Sequence, residues 1–142
     1  MKFLFLSGGA HLVWDPAAPR AAGGAELQVA LIARELARLG HGAVLLGTDT
    51  GQPDGAVWEG IKIRCGGRYG TGGLLDTLAA WPRIHRVLRE ERPDFVVVFG
   101  WTALLYALAW WRRVVPFKLV FVCALDAEID GDFRRRHPVR GF

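Results

Sequence analysis

The sequence predicts an α/β protein, a Rossmann-like doubly wound parallel sheet of about five strands. Three observations predict it. Short apolar runs suited to strands alternate with longer stretches whose apolar residues recur every three or four positions. The runs Phe3-Leu4-Phe5-Leu6 and Phe95-Val96-Val97-Val98-Phe99 hardly alternate, as expected of strands buried on both faces. Hydrophobic residues make up 51% of the 142 and charged residues only 23%, the balance of a folded body.

Taken in order, Lys2–Ser7 is the expected first strand, and a loop rich in Gly, Ala and Pro runs from Gly8 to Gly23. A helix from Gly24 to Leu39 follows, because Val29, Ile32, Ala33, Leu36 and Leu39 share one face while Gln28, Arg34, Glu35 and Arg38 keep the other wet. Gly40 stops it. Ala43–Thr48 is the second strand, and Val57–Cys65 holds the third, whose alternation Ile61-Lys62-Ile63-Arg64-Cys65 leaves one face in water. Leu74–Glu91 is helical by its apolar spacing, with Pro82 expected to kink or break it and open a second helical piece. Phe95–Phe99 is the fourth strand, 102–113 a short, nearly all-apolar helix and Lys118–Cys123 the fifth strand. The expected order is 3-2-1-4-5 with right-handed crossovers. Beyond it the chain turns acidic and then basic, with no helix to cover the last strand. Residues 1–142 therefore read as a single domain cut off before it closes.

Composition narrows the function classes. The net charge of +4 concentrates at the end, where Arg134, Arg135, Arg136 and Arg140 face only Asp132. No nucleic-acid-reading motif accompanies it, so nucleic acid is not an expected partner. Cys65 and Cys123 read as buried free thiols of a cytoplasmic protein. The four apolar residues before Ser7 are too few for a signal peptide, and the apolar stretch from Trp101 to Trp111 is too short to span a bilayer.

Several motifs carry candidate chemistry, each beside a plainer account. Gly23-Gly24-Ala25-Glu26 opens the first helix, where small residues let an anion such as phosphate approach the free N–H groups. The plainer account is that Gly24 caps the helix and Glu26 answers its dipole. No Gly-Lys-Ser/Thr follows, which excludes a Walker loop, and the long loop before Gly24 fits a dinucleotide fingerprint badly. Asp49 ends the second strand where such folds place a ribose-binding acid. The glycine cluster from Gly66 to Gly73, with Arg68 and Tyr69, is either a substrate loop or a surface connection. Gly100-Trp101 follows the fourth strand, and Trp101 is either an exposed indole at a carbohydrate site or a core residue. Trp110-Trp111-Arg112-Arg113 suggests an interfacial membrane anchor, against ordinary packing of one Trp on the sheet. The acidic run from Asp126 to Asp132 could supply a base or hold an acceptor hydroxyl, against a solvated turn facing the arginines. No histidine or further acid is spaced to make it a metal site. His11, His85 and His137 have no partner identifiable from sequence, and His41 reads as a helix-end residue.

Gly23-Gly24-Ala25-Glu26 with Gln28-Val29, Ala33, Leu36, Ala37 and Gly40-His41 resembles the first helix of the family-4 glycosyltransferases. The Arg92-Pro93-Asp94 entry into a Val-rich strand ending at Gly100 is similar too. The resemblance implies a retaining enzyme of the GT-B fold, in which two Rossmann-like halves face each other across a cleft. The first half holds the acceptor, here a saccharide or a lipid-linked one; the second, a C-terminal donor domain not contained in these residues, binds a nucleotide sugar. No cofactor is implied beyond that co-substrate, and metal is usually not required. Gly23 and Gly24 match the glycine loop that approaches donor phosphates and acceptor, and Gly100 and Trp101 are the further candidate binding residues. Many members carry a histidine just after the fifth strand. Here Val122-Cys123-Ala124-Leu125-Asp126 holds none, and Asp126 is the substitute catalytic candidate. A fragment without the donor half is expected to be inactive alone, and the basic anchor suggests a place at the inner membrane surface. The alternative is a noncatalytic Rossmann-like binding or interaction module.

Overall fold

The computed structural model describes residues 1–14, 23–67, 74–99 and 102–122. Strand β1 (Lys2–Leu6) leads through a 3-10 turn (Ala10–Val13) to helix α1 (Gly24–Arg38). Strands β2 (Gly42–Gly47), β3 (Val57–Trp58) and β4 (Ile61–Cys65) precede helix α2 (Leu74–Glu91). Then come β5 (Phe95–Phe99), α3 (Thr102–Trp111) and β6 (Lys118–Val122). The sheet runs β3-β4-β2-β1-β5-β6 and is parallel apart from β3. The expected 3-2-1-4-5 order is present, extended by one short antiparallel edge strand.

Register explains why both faces are buried. Ile63, Leu45, Phe5, Val97 and Val120 stand in one row across the sheet, and Arg64, Leu46, Leu6, Val98 and Phe121 in the next. Because side chains alternate, successive rows serve opposite faces. Phe5, Leu45, Ile61 and Ile63 pack with Ala10, Val29 and Ala33 beneath α1 and the 3-10 turn. Leu4, Leu6, Val44, Leu46, Val96 and Val98 pack with Ile84, Leu88, Leu104 and Leu108 beneath α2 and α3. Helices on both faces make the sheet doubly wound.

Helix α1 ends as its sequence dictates. Gly40 takes φ +81°, and the amides of Gly40 and His41 donate to the carbonyls of Ala37 and Leu36, the two bonds of a Schellman stop.

Three expectations need correction. Val57–Cys65 is a hairpin, because Glu59 (φ 47°) and Gly60 (φ 80°) both enter the left-handed region that a tight two-residue turn requires. The face of β4 expected in water is covered: Lys62 and Arg64 meet the end of α2, and Arg64 is 6% exposed. Helix α2 also runs unbroken through Pro82. Pro82 lies on the exposed side, where water can satisfy the Leu78 carbonyl that loses its amide partner, while Ala80, Ile84, Val87 and Leu88 hold both halves to one core. Among the described residues no helix is long and apolar enough to cross a membrane.

Candidate functional site

In a parallel sheet the loops leaving the carboxyl ends of the strands gather at one edge, and ligands bind there, beside the point where strand order reverses. Here that point lies between β1 and β5. The loop after β1 and the start of α1 form one wall. Gly23 is the N-cap of α1, with extended backbone (φ −76°, ψ 174°) and no side-chain cap. The first-turn amides of a helix have no intrahelical acceptor, and the dipole makes that end favourable to anions. Among the described residues no atom lies within 4 Å of the position of a missing Cβ at Gly24. At Gly23 a Cβ would lie 2.5 Å from Glu26 Oε2, and at Gly9 it would lie 3.1 Å from Glu26 Cγ. The Glu26 side chain therefore folds across the gap between Gly9 and the start of the helix, and none of the described residues covers Gly24.

Backbone bonds stitch the rest of this edge together. The Thr48 amide and hydroxyl both donate to the Gly8 carbonyl, at 2.9 and 2.6 Å. The Asp49 amide donates to the Gly67 carbonyl and the Gly66 amide to the Gly47 carbonyl. Gly67 takes φ +93°, and a Cβ there would collide with the Arg83 guanidinium. Asp49 Oδ1 accepts from the Gly51 amide at 3.1 Å, closing a local turn on the surface. Gly23, Gly24 and Gly67 thus share the carboxyl edge. Gly100, Trp101 and Asp126 lie outside the described residues, as do Arg68, Tyr69, Cys123 and the rest of the acidic run.

Beside these lies a part-buried polar group with no sequence signature of its own. His11, fully buried, places Nε2 3.1 Å from Thr50 Oγ1. Gln52 fixes the proton positions. Its Nε2 donates to the Thr48 carbonyl at 2.6 Å, so Oε1 is the acceptor for the Thr50 amide at 2.7 Å and hydroxyl at 2.8 Å. With its own proton given to Gln52, the Thr50 oxygen accepts from His11, which makes Nε2 the protonated nitrogen of the ring. The imidazole lies directly against Gly47, where a Cβ would collide with it. Gly47→Ala is expected to cost about 1–3 kcal/mol through overpacking and to break the His11–Thr50 bond. A lowered melting temperature together with loss of the Nε2–H pattern in ¹⁵N imidazole spectra would show both; an unchanged spectrum would place the ring elsewhere.

Cys65 is half-buried, and its thiol donates to the Gln52 carbonyl at 3.3 Å. Burial, followed by the carboxylates of Asp54 and Asp49, pushes that thiol above its ordinary range. Among the described residues no three His, Cys, Asp or Glu side chains come together to hold a metal ion. What the described residues of the edge offer is a helix N-terminus without a side-chain cap, a carboxylate beside it and a hydrogen-bonded polar group.

Comparison with known proteins gives one finding. The family described as glycosyl transferase 4-like domain matches residues 23–141, from the N-cap of α1 almost to the end of the chain. No curated protein and no solved structure gave a match.

Proposed function

The chain belongs to the glycosyl transferase 4-like domain family, a glycosyltransferase-type domain, and on that premise we propose that it is the acceptor-side half of a retaining sugar transferase of the GT-B type. The enzyme in this reading moves a sugar from a nucleotide-sugar donor to a saccharide or lipid-linked acceptor, with a second, C-terminal domain holding the nucleotide across a cleft. In the transfer an acceptor hydroxyl oxygen bonds to the anomeric carbon as the bond from that carbon to the phosphate oxygen breaks, and the hydroxyl proton passes to the departing phosphate oxygen. Negative charge grows on the departing diphosphate, and amides fixed in advance beside it stabilise the transition state more than the ground state.

The observation that carries the reading is the space left at Gly24 by the described residues, over an N-terminus without a side-chain cap, at the carboxyl edge of the sheet. A diphosphate arriving there meets the first-turn amides of α1, and the glycine itself puts no side chain in its way. Glu26 stands next to that path and can accept hydrogen bonds from acceptor hydroxyls, as carboxylates do. Gly100, Trp101 and Asp126 enter the proposal from the sequence alone, the first two as substrate-binding residues and Asp126 as the catalytic candidate.

The test is a transfer assay of the donor-domain-containing enzyme with a panel of labelled nucleotide sugars, reading the anomeric configuration of the product by NMR. Transfer with retention is expected. Transfer with inversion would overturn the stereochemical assignment, and binding of every donor without turnover would point to a binding module instead.

A further inference from the structure

The outer face of α2 and α3 is apolar and uncovered among the described residues. Leu75 and Leu78 of α2 are 80% and 60% exposed, and Tyr106 and Trp110 of α3 are 52% and 61% exposed. A groove of about 350 Å³ runs between the helices, bounded by Leu78 and Trp81 on one side and by Ala103, Tyr106, Ala107 and Trp110 on the other. The adjacent tryptophans divide their roles. Trp111 turns inward, edge-on to Trp81 at 5.4 Å and to His85 at 4.6 Å, and holds the two helices together. Trp110 is left outside with Tyr106. A contiguous apolar face of this kind on a monomer marks a surface that meets another phase or molecule.

Charge decides which. Thr77–Arg89 and Thr102–Lys118 contain Arg83, Arg86, Arg89, Arg112, Arg113 and Lys118, and neither stretch contains a carboxylate. Glu90 and Glu91, which follow the first stretch, are engaged by Arg64. On α2 the residues Leu75, Leu78, Pro82, Arg86 and Arg89 recur at helical spacing and all are exposed, so apolar groups and cations share one face. Arg112 and Arg113 follow Trp110 and Trp111 directly and are exposed as well. A second copy of the chain docked here would bring these cations against their own images. An anionic surface neutralises them and also accepts indole and phenol rings at its boundary.

We propose that the α2–α3 face seats on an anionic lipid bilayer, with Tyr106 and Trp110 at headgroup depth and Arg112 and Arg113 against lipid phosphates. Interfacial seating of this type needs no spanning segment; it draws on buried apolar area and on attraction to anionic lipid together. The seated face is the one that α2 and α3 cover, opposite the face beneath α1. Membrane seating stands apart from sugar transfer, since its test contains neither donor nor acceptor.

That test is sedimentation of the full chain with vesicles of phosphatidylcholine alone and of equal parts phosphatidylcholine and phosphatidylglycerol. The chain is expected to pellet with the mixed vesicles, to pellet far less with the neutral ones, and to be released by salt. Arg112→Gln with Arg113→Gln should weaken binding about thirtyfold. Trp110→Ser should weaken it too and should remove a blue shift of tryptophan fluorescence on binding. These side chains are exposed, so thermal melts of the variants should match the parent and exclude misfolding as the cause. No pelleting with anionic vesicles would overturn the proposal, as would equal pelleting of parent and variants. A dimer in solution that Trp110→Ser dissolves would overturn it in favour of a second copy.

Discussion

Replacing Gly24 by valine is expected to lower sugar-transfer turnover about a hundredfold, the usual cost of losing one well-placed electrostatic contact to the transition state. The melting temperature should barely move. Gly24 is the first residue of α1, has no positive φ, and presents open space where the new side chain would go. Valine is a somewhat better helix residue than glycine, so the helix itself loses nothing. The same side chain stands where a phosphate must come within hydrogen-bonding distance of the first-turn amides. Gly23 differs, because any Cβ there pushes against the Glu26 carboxylate and disturbs a second group at once. Gly24→Val is therefore the cleaner variant. Turnover and melting measured on one preparation separate the two roles: unchanged turnover per folded molecule would reduce Gly24 to a helix start and remove the binding role.

How far the sequence reaches is visible in particular residues. The parallel order follows from runs such as Phe95–Phe99, which have no polar face to give to water and so must be covered on both sides. Strand β3 escaped because two residues carry no periodicity, and Glu59 supplies the left-handed turn position usually filled by Asn, Asp or Gly. The wet face foreseen for β4 failed for a different reason. Lys62 and Arg64 are long enough to reach the carboxylates of α2, so charge on a strand marked an ion cluster centred on the buried Arg64 and Glu91 rather than solvent alone.

The site divides in the same way. Gly23 and Gly24 could be singled out because a glycine pair at a helix start forgoes the side-chain cap that Ser, Thr, Asp or Asn would supply. The His11–Thr50–Gln52 group could not. His11 and Thr50 lie 39 residues apart and meet only because β1 and β2 pair in parallel, which no local pattern encodes. The pair Trp110-Trp111 shows the limit within a motif: sequence offered anchor or packing, and the fold packs Trp111 against Trp81 while Trp110 stays exposed.

The largest stability loss is expected at Glu91, and it should be sensitive to acid. Glu91, 5% exposed, ends α2 and receives Lys62 Nζ at 2.7 Å, Arg64 Nη1 at 2.7 Å and Lys2 Nζ at 3.3 Å. One carboxylate thereby ties the end of α2 to β1 and to β4. Removing it strands a buried cation, the case in which breaking an ion pair costs about 3–5 kcal/mol. Glu91→Gln should fall near the lower end. The two lysines are 41% and 43% exposed and can turn to water, and Arg64 keeps Asp54 at 3.0 Å and Glu90 at 2.6 Å. The pH dependence follows from the balance on the carboxyl. Burial alone would raise its pKa, but hydrogen bonds from Lys62, Arg64 and Lys2 outweigh it and hold the group below the ordinary glutamate range. Asp54 is shifted in the same direction, with burial opposed by the Cys65 amide and Arg64. As pH falls, the unfolded chain binds protons at these carboxyls before the folded one does, so unfolding gains. Their contribution is whole above the ordinary carboxyl range and is lost as pH drops through the lowered folded values. Melting curves of parent and Glu91→Gln should therefore be furthest apart at neutral pH and converge in acid. Curves that stay parallel across that range would mean Glu91 acts by packing alone, and that the charge of the cluster contributes nothing to the fold.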